Sequence, residues 1–340
     1  MAKKSFYIKD SELDEYQVQV IQRRTNKSFI VKGCAGSGKS ILALWKVKQI
    51  QEEGMGSFYF IVFTKTLKQY MRDGIRSINL NNDRVLYHHE WIQAGSPSAD
   101  YIIVDEAQDF TADQIGHFRS KADTALLLYG DSAQQIYKFR TPPPISMEQI
   151  GSQTGFPSEQ LVFNHRLPKK IARVAELISN TDDELEMRCK NEGSELPKIL
   201  KYQSWTDQLD AIIHIVKSRQ FEDVGIFFRL NRDVERAYNY FTENGLNVEA
   251  KFNGTINLNF DNPAPKITTF HSGKGLQYEA VFIPDCSFEY DDTRNPLYVA
   301  LTRSYQSLFI MYSGQLSSFF DEIPSNLYET SLDTRTGERL

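Results

Sequence analysis

Eight consecutive residues constrain this chain more than any others. Gly33-Cys34-Ala35-Gly36-Ser37-Gly38-Lys39-Ser40 fit the spacing G-x-x-x-x-G-K-[ST]. A loop of that composition has to leave a buried strand and enter a helix. Its glycines let successive backbone N–H groups curl around an anion, and the helix N-terminus behind it adds positive potential. The flanks comply: Phe29-Ile30-Val31 is an apolar run, and ILALWKVKQI after the loop has a helical pattern. The anion this arrangement suits is a nucleotide's phosphate tail. Gly33, Gly36, Ser37 and Gly38 shape the cradle, Lys39 reaches the β- and γ-phosphates, and Ser40 takes a ligand position on Mg²⁺.

A strand feeding a phosphate loop implies an α/β plan, and the rest of the chain alternates accordingly. Apolar β-rich runs stand at Ser28–Gly33, Ser57–Phe63, Tyr101–Asp105 and Ala125–Tyr129. In the second half they recur at Val224–Phe228, Val248–Lys251, Lys266–Phe270, Ala280–Pro284 and Leu308–Tyr312, with helical patterns at Lys39–Gln51 and near 168–179, 206–219 and 232–243. These runs lack strict alternation, as strands covered on both faces should. A length of 340 residues predicts about two domains. Pro142, Pro143, Pro144 and Pro157 put the break between them, giving a first domain over 1–145, a linker over 146–160, a second domain over 161–324 and a polar tail over 325–340. The fold class expected is α/β, two domains in tandem, each a mainly parallel sheet flanked by helices.

Composition removes other classes. No stretch has the length and apolarity of a membrane span, and the start has no apolar signal core, so a cytoplasmic location and no membrane partner are expected. Cys34, Cys189 and Cys286 lie far apart without metal-ligand spacing, which argues for reduced thiols. Residues 1–160 carry 19 basic and 18 acidic side chains, and residues 161–340 carry 20 and 26. A polyanion would therefore meet a local groove of a few Lys, Arg and backbone amides, not a basic face. His88, His117 and His214 read as surface or packing residues.

The second requirement of a nucleotide-hydrolysing site is a carboxylate at a strand end, and Tyr101-Ile102-Ile103-Val104-Asp105-Glu106-Ala107-Gln108-Asp109 supplies it. Asp105 is placed to hold Mg²⁺ through its water shell and Glu106 to polarise the attacking water, which favours hydrolysis over mere binding.

With both motifs in hand, the chain resembles the superfamily 1A helicases of the UvrD/Rep/PcrA type, because further motifs of that family follow in order. Leu13-Asp14-Glu15-Tyr16-Gln17 looks like the Q-motif, in which Gln17 would read the adenine edge. Phe63-Thr64-Lys65-Thr66 and His89-Glu90-Trp91 resemble motifs Ia and Ib, so Thr64, His89 and Trp91 would line a single-strand groove. Gly130-Asp131-Ser132-Ala133-Gln134-Gln135-Ile136-Tyr137-Lys138-Phe139-Arg140 looks like motif III. There Gln134 would sit between γ-phosphate and polymer, with Tyr137, Phe139 and Arg140 toward the polymer; core packing competes for the two aromatics. Asn164-His165-Arg166 resembles motif IV, with Arg166 on the γ-phosphate and His165 in place of an adenine-stacking Tyr. Ile226–Asn231 resembles motif IVa, mostly a structural strand end. Thr269-Phe270-His271-Ser272-Gly273-Lys274-Gly275-Leu276-Gln277 is close to motif V, which implies polymer contacts for Thr269 and His271 and nucleotide contacts for Gly275 and Gln277. Tyr298-Val299-Ala300-Leu301-Thr302-Arg303 matches motif VI, making Arg303 the arginine finger, with a surface salt bridge as its competing reading.

The resemblance implies two RecA-like domains, ATP and Mg²⁺ held where Arg166 and Arg303 can meet the phosphates, and 3′→5′ translocation on single-stranded nucleic acid, DNA ahead of RNA. Larger relatives carry an extra subdomain inside each core. Here only 35 residues separate Thr66 from Tyr101 and 16 separate Lys251 from Ile267, the latter reading as a turn-rich hairpin or loop. A compact motor without those insertions is expected. The alternative is an ATP-gated binding or scaffold subunit that acts with a protein partner, such as a nuclease, supplying what is missing. An RNA-directed motor is a further alternative.

Overall fold

In a computed structural model of the chain, residues 13–137, 139–179, 184–253, 257–288 and 291–332 are described. They divide into two compact units between His165 and Arg166.

The N-terminal unit runs α1 (Glu15–Gln22), β1 (Phe29–Gly33), α2 (Lys39–Glu52), β2 (Phe58–Val62), α3 (Lys65–Tyr70), α4 (Arg72–Ser77), β3 (Val85–Tyr87), α5 (His88–Gln93), β4 (Ala99–Val104), α6 (Ala112–Ser120), β5 (Ala122–Gly130), α7 (Met147–Thr154) and β6 (Ser158–Leu161). Its sheet has the order β3-β2-β4-β5-β1-β6, and every pairing is parallel. Phe29, Val31, Phe60, Ile103, Leu127 and Tyr129 share one core with Leu42, Leu44 and Val47 of α2. Their strand neighbours Ile30, Ile61, Ile102, Leu126 and Leu128 are buried too. Both faces are thus covered, and each such side chain contributes about 1.5–3 kcal/mol on leaving water.

Residues 146–160 are not the linker that the prolines suggest. Ser146 and Gln149 form a reciprocal capping box that starts α7, and Ile30 of β1 pairs with Ser158 as β6 joins the sheet. Pro157 leads directly into β6, whereas Pro142, Pro143 and Pro144 interrupt the chain before Ser146. After them the S-x-x-Q pattern starts a helix whose Met147 and Ile150 are buried.

One buried cation ties α1 to α2. Lys46 Nζ donates to the carbonyls of Ile21 and Arg23, each at 2.5 Å, and to Gln49 Oε1 at 3.0 Å. Burial, the largest influence, lowers its pKa to about 8. The carbonyls that accept from it belong to the end of α1, where a helix leaves acceptors unsatisfied.

The C-terminal unit begins inside β7 (Asn164–Pro168) and continues through α8 (Lys169–Ile178), α9 (Leu185–Arg188), β8 (Cys189–Asn191), β9 (Lys198–Tyr202), α10 (Trp205–Arg219), β10 (Val224–Phe228), α11 (Asn231–Glu243), β11 (Glu249–Lys251), β12 (Lys266–Thr269), β13 (Tyr278–Ile283), α12 (Arg294–Leu301) and β14 (Ser304–Ser313). A second parallel sheet has the order β11-β12-β10-β13-β14-β9, and β7 pairs with β8 separately. The α/β class, with two parallel sheets in succession along the chain, is the one read from the sequence.

Part of the expected polar tail is packed. Glu329 bridges the edge of β9: Ile199 N donates to Glu329 O at 2.8 Å, and Glu329 N donates to Pro197 O at 2.9 Å. The Lys198 ammonium, only 3% exposed, holds the Glu329 carboxylate at 2.9 Å. A neutral sequence pattern concealed a main-chain clasp there. Residues 333–340 lie outside the described residues, as do 254–256 of the expected hairpin and Lys138 of motif III.

Tyr129 is an anomaly of the first core. Its hydroxyl is fully buried and has no hydrogen-bond partner among the described residues. Burial, with a smaller push from Asp105, raises the phenol well above its ordinary range. Tyr129→Phe removes an uncompensated polar atom, so urea unfolding is expected to show a gain of about 1–2 kcal/mol. A loss of stability would mean that the hydroxyl has a partner.

Candidate functional site

The phosphate loop leaves β1 and enters α2 with Gly36 at φ 75° and Gly38 at φ 89°, backbone that side chains rarely adopt. Lys39 is buried, and its ammonium donates to the carbonyls of Gly33 and Cys34, each at 2.9 Å, with Asp131 Oδ2 at 3.9 Å. Gln17 closes the loop from α1. Its Nε2 donates to Ser37 O at 3.1 Å, and its Oε1 accepts from Asp14 N at 3.1 Å within the helix cap. The carboxamide that the sequence assigned to the adenine edge is thus already engaged on both sides. His165 falls in the N-terminal unit, not in the second domain where the sequence placed it. Its backbone N–H donates to Gly36 O at 3.1 Å, and its Nε2 lies 2.6 Å from Asp14 Oδ2. Tyr16, Phe163 and His165 form an edge-to-face row beside the loop, at 5.7 and 6.5 Å between centroids.

Asp105 follows β4 and is 1% exposed. It accepts from Ser40 Oγ at 2.5 Å and from Glu106 N at 3.0 Å. Burial and then the Glu106 charge push its carboxyl up to about 7, against the pull of the Ser40 hydrogen bond and of Lys39. Glu106 has φ 55°, ψ 42°, a left-handed backbone that costs a non-glycine residue about 1–3 kcal/mol. Gln108, to which the sequence gave no role, connects the rest. Its Nε2 donates to Glu106 Oε2, its Oε1 accepts from Asp131 N at 2.9 Å, and its carbonyl accepts from Gln135 Nε2 at 2.8 Å. Asp131 in turn accepts from Gln134 Nε2 at 2.5 Å. Gly130 makes room for this linkage, because a Cβ there would stand 2.5 Å from Gln108 Oε1 and against Met147.

The oxygen donors of Ser40 and Asp105 suit a hard divalent cation such as Mg²⁺. The neighbouring Ser37 hydroxyl is buried with no hydrogen-bond partner among the described residues. The residues present therefore fit a metal-bound phosphate tail.

A groove of about 750 Å³ lies beyond the end of this network in the same unit. Thr64, His89, Tyr137, Phe139 and Arg140 line it, together with Phe63, Lys65, Tyr87, His88, Gln114 and others. Phe139 is 69% exposed, whereas Tyr137 is buried and its ring lies 4.9 Å from that of Phe63. Packing and exposure are thus divided between the two aromatics. The Arg140 guanidinium sits 4.6 Å over Tyr137 and 5.1 Å over Phe63, a stabilising cation–π arrangement. Trp91 does not belong to the groove. It is fully buried, its indole N–H donates to Pro97 O at 3.2 Å, and its ring packs on His117 and Phe118. The sequence gives Trp91 a polymer-facing place, but α5 turns that position into the core.

In the C-terminal unit, Arg166 and Arg303 meet at one helix end. Arg166 Nη2 donates to Thr302 O at 3.0 Å, and Arg303 Nε donates to Val299 O at 2.8 Å. Arg303 is 2% exposed, so it is not the surface ion pair that was its competing reading. Thr269 is buried at the end of β12, and its hydroxyl accepts from Ser272 N at 3.2 Å. His271 and Gln277 are half-buried, and Gly275 takes φ 83°. A second cavity, of about 310 Å³, opens at the carboxyl ends of β10 and β13, with Arg229, Asp233 and Asp285 in its wall. Burial, then Asp233, raises the Asp285 carboxyl above the ordinary range.

Residues 266–311 match the family described as UvrD-like helicase C-terminal domain, and residues 12–137 match an AAA domain. Over those two stretches the chain is similar to a UvrD-like helicase C-terminal domain and to an AAA domain. A protein titled "Probable DNA helicase" from Mycoplasma pneumoniae (strain ATCC 29342 / M129 / Subtype 1) is 26% identical over 259 residues. That match covers 68% of this chain and 46% of the relative, so the chain spans about half the relative's length. A crystal structure of the C-terminal domain of a possible DNA helicase from Lactobacillus plantarum WCFS1 aligns with 49% of this chain and 98% of its own, at 16% identity and TM-score 0.40. Among the described residues, no helix is long and apolar enough to cross a membrane.

Two residues to which the sequence gave no place in the site shape it: Gln108, and His88, which was read as a surface or packing residue and does pack. Gln108 was visible inside Asp105–Asp109, but only its position between two chain segments gives it a task. His88 precedes the motif Ib residues and packs edge-on against Phe110 and Phe118 while bordering the groove. Burial, with smaller contributions from His89, His117 and Arg140, lowers its pKa to about 4. The fold therefore favours the neutral ring, whereas an unfolded chain protonates near pH 6.5. The contribution of His88 to stability is complete above about pH 6.5 and is lost as pH falls through about 4. Relative to wild type, His88→Phe is expected to gain stability as urea unfolding is repeated from pH 6.5 down to 4. A constant difference between the two proteins would refute the assignment.

Proposed function

We propose that this chain is an ATP-hydrolysing motor that acts on single-stranded nucleic acid, with DNA as the favoured polymer and 3′→5′ movement. One observation carries the reading. The eleven residues Gly130–Arg140 have one end in the phosphate-loop network, through Asp131 and Gln134, and the other in the groove, through Tyr137, Phe139 and Arg140. A change in what Lys39 and Gln134 contact is thereby delivered along one short segment to the surface that would hold bases.

Each group then has a task. Lys39 exchanges the Gly33 and Cys34 carbonyls for phosphate oxygens, while the amides from Gly33 to Ser40 cradle the tail. Mg²⁺, held by Ser40 and Asp105, would supply charge neutralisation on the transferred phosphate. Glu106, fixed by Gln108, takes the proton of the attacking water. Gln134 lies between the phosphate end and the polymer end. Arg166 and Arg303 are assigned to the phosphates, whose negative charge their guanidiniums would pair with. Gln17, His165, Gly275 and Gln277 are assigned to base and sugar. Phe139 offers a ring face for stacking, with Thr64, His89, Arg140, Thr269 and His271 toward the backbone.

Lys39→Ala and Glu106→Gln are each expected to lower polymer-stimulated ATP turnover by about 10²-fold or more. Phe139→Ala should weaken single-strand binding by about 1–3 kcal/mol. The deciding assay measures turnover without polymer and with single-stranded DNA, single-stranded RNA and duplex, at two salt concentrations. Stimulation by single strands that fades with salt is the expected result. Wild-type turnover in either active-site variant, or indifference to every polymer, would overturn the motor and favour a partner-activated scaffold.

A further inference from the structure

Thr302 is the residue on which both site arginines converge. It follows α12, is fully buried, and its backbone N–H donates to Tyr298 O at 3.1 Å. Its carbonyl accepts from Arg166 Nη2 at 3.0 Å. Its hydroxyl donates to Val299 O at 3.0 Å and accepts from Arg303 Nη2 at 3.2 Å. Arg303 Nε meets the same Val299 carbonyl at 2.8 Å. With its proton committed to Val299, the hydroxyl can offer Arg303 only a lone pair, which helps to fix one edge of the guanidinium, while Arg303 Nη1 donates to Leu276 O at 3.5 Å.

The chemistry of a helix end explains the choice of place. The last carbonyls of a helix lack intrahelical donors and carry the negative end of its dipole, so they can hold cations without a carboxylate. The carbonyl and hydroxyl acceptors of this helix end orient the two arginines without adding a counter-charge of their own. Two guanidiniums that share one residue also repel each other, and an added polyanion relieves that repulsion.

We infer that Thr302 is a positioning residue that aims Arg166 and Arg303 together, and that its hydroxyl sets how strongly the site prefers a nucleoside triphosphate over a diphosphate. This rests on the reading of the two arginines as phosphate ligands. It adds a residue that touches neither nucleotide nor polymer. The backbone carbonyl serves Arg166 whatever the side chain, so a side-chain substitution isolates the Arg303 half of the device.

The test measures binding of a non-hydrolysable ATP analogue and of ADP, alongside kcat and KM for ATP. Thr302→Val keeps the shape and removes the lone pair. It is expected to lower the triphosphate preference about five- to tenfold, as one charge-assisted hydrogen bond predicts. ADP affinity and melting temperature should stay near wild type, and Thr302→Ser should restore the preference. In an Arg303→Lys background, Thr302→Val should cost little more, because the partner it orients is gone. The inference falls if Thr302→Val keeps wild-type preference, if Thr302→Ser is as impaired as Thr302→Val, or if affinity for both nucleotides drops in parallel with the melting temperature. Should Arg303→Lys itself leave the preference intact, the phosphate-ligand reading of Arg303 fails first. Loss in Arg303→Lys without loss in Thr302→Val sinks the Thr302 inference alone.

Discussion

Parallel strand pairing is the constraint on which the N-terminal site depends. Because β2, β4, β5 and β1 run the same way, their carboxyl ends open on one edge of the sheet. The residues just past those ends are Thr64, Asp105 with Glu106, Asp131 with Gln134, and the phosphate loop. No side chain needs to reach far: the Ser40–Asp105 hydrogen bond spans neighbouring segments 65 residues apart in sequence. An antiparallel sheet would scatter the same residues over two edges.

This concentration of polar groups works against stability, and the structure offsets it locally. Asp105 is buried close to Glu106, and Glu106 adopts a backbone that few side chains tolerate. Gln108 answers both difficulties, since it donates to the Glu106 carboxylate and accepts from the Asp131 amide. Buried groups of this kind cost about 1–3 kcal/mol each when left unpaired, so a single glutamine that joins two segments through three partners is an economical solution. The absence of a side chain at Gly130 is the condition for it.

Much of this was legible in the sequence because it is local. The phosphate loop and its flanks occupy one continuous stretch, and apolar runs of strand length marked both sheets. What escaped was of two kinds. Short edge strands such as β3 and β6, and the helix α7 behind three prolines, carry weak apolar signals and are specified by the sheet or by a capping pair. Side-chain destinations escaped as well. Trp91 and Phe139 are both large aromatics in groove-lining motifs, yet one turns inward and the other is mostly exposed, since a six-residue helix and an irregular loop aim them differently. The sequence assigned Gln17 to the adenine edge; its bond to the Ser37 carbonyl and the cap it shares with Asp14 are pairings that spacing alone does not reveal.

The sheet margins have a consequence for life at high protein concentration. An open strand edge is a template on which another molecule can add a strand. Here β3 and β11 are three residues long and β6 is four, too brief to seed an extended ladder. The remaining margin, β9, is five residues long, and it is the one that Glu329 covers with two main-chain hydrogen bonds while its carboxylate holds Lys198. That small clasp makes the outer strand a poor partner for self-association, and so resistance to aggregation is built into the same residues that complete the second sheet.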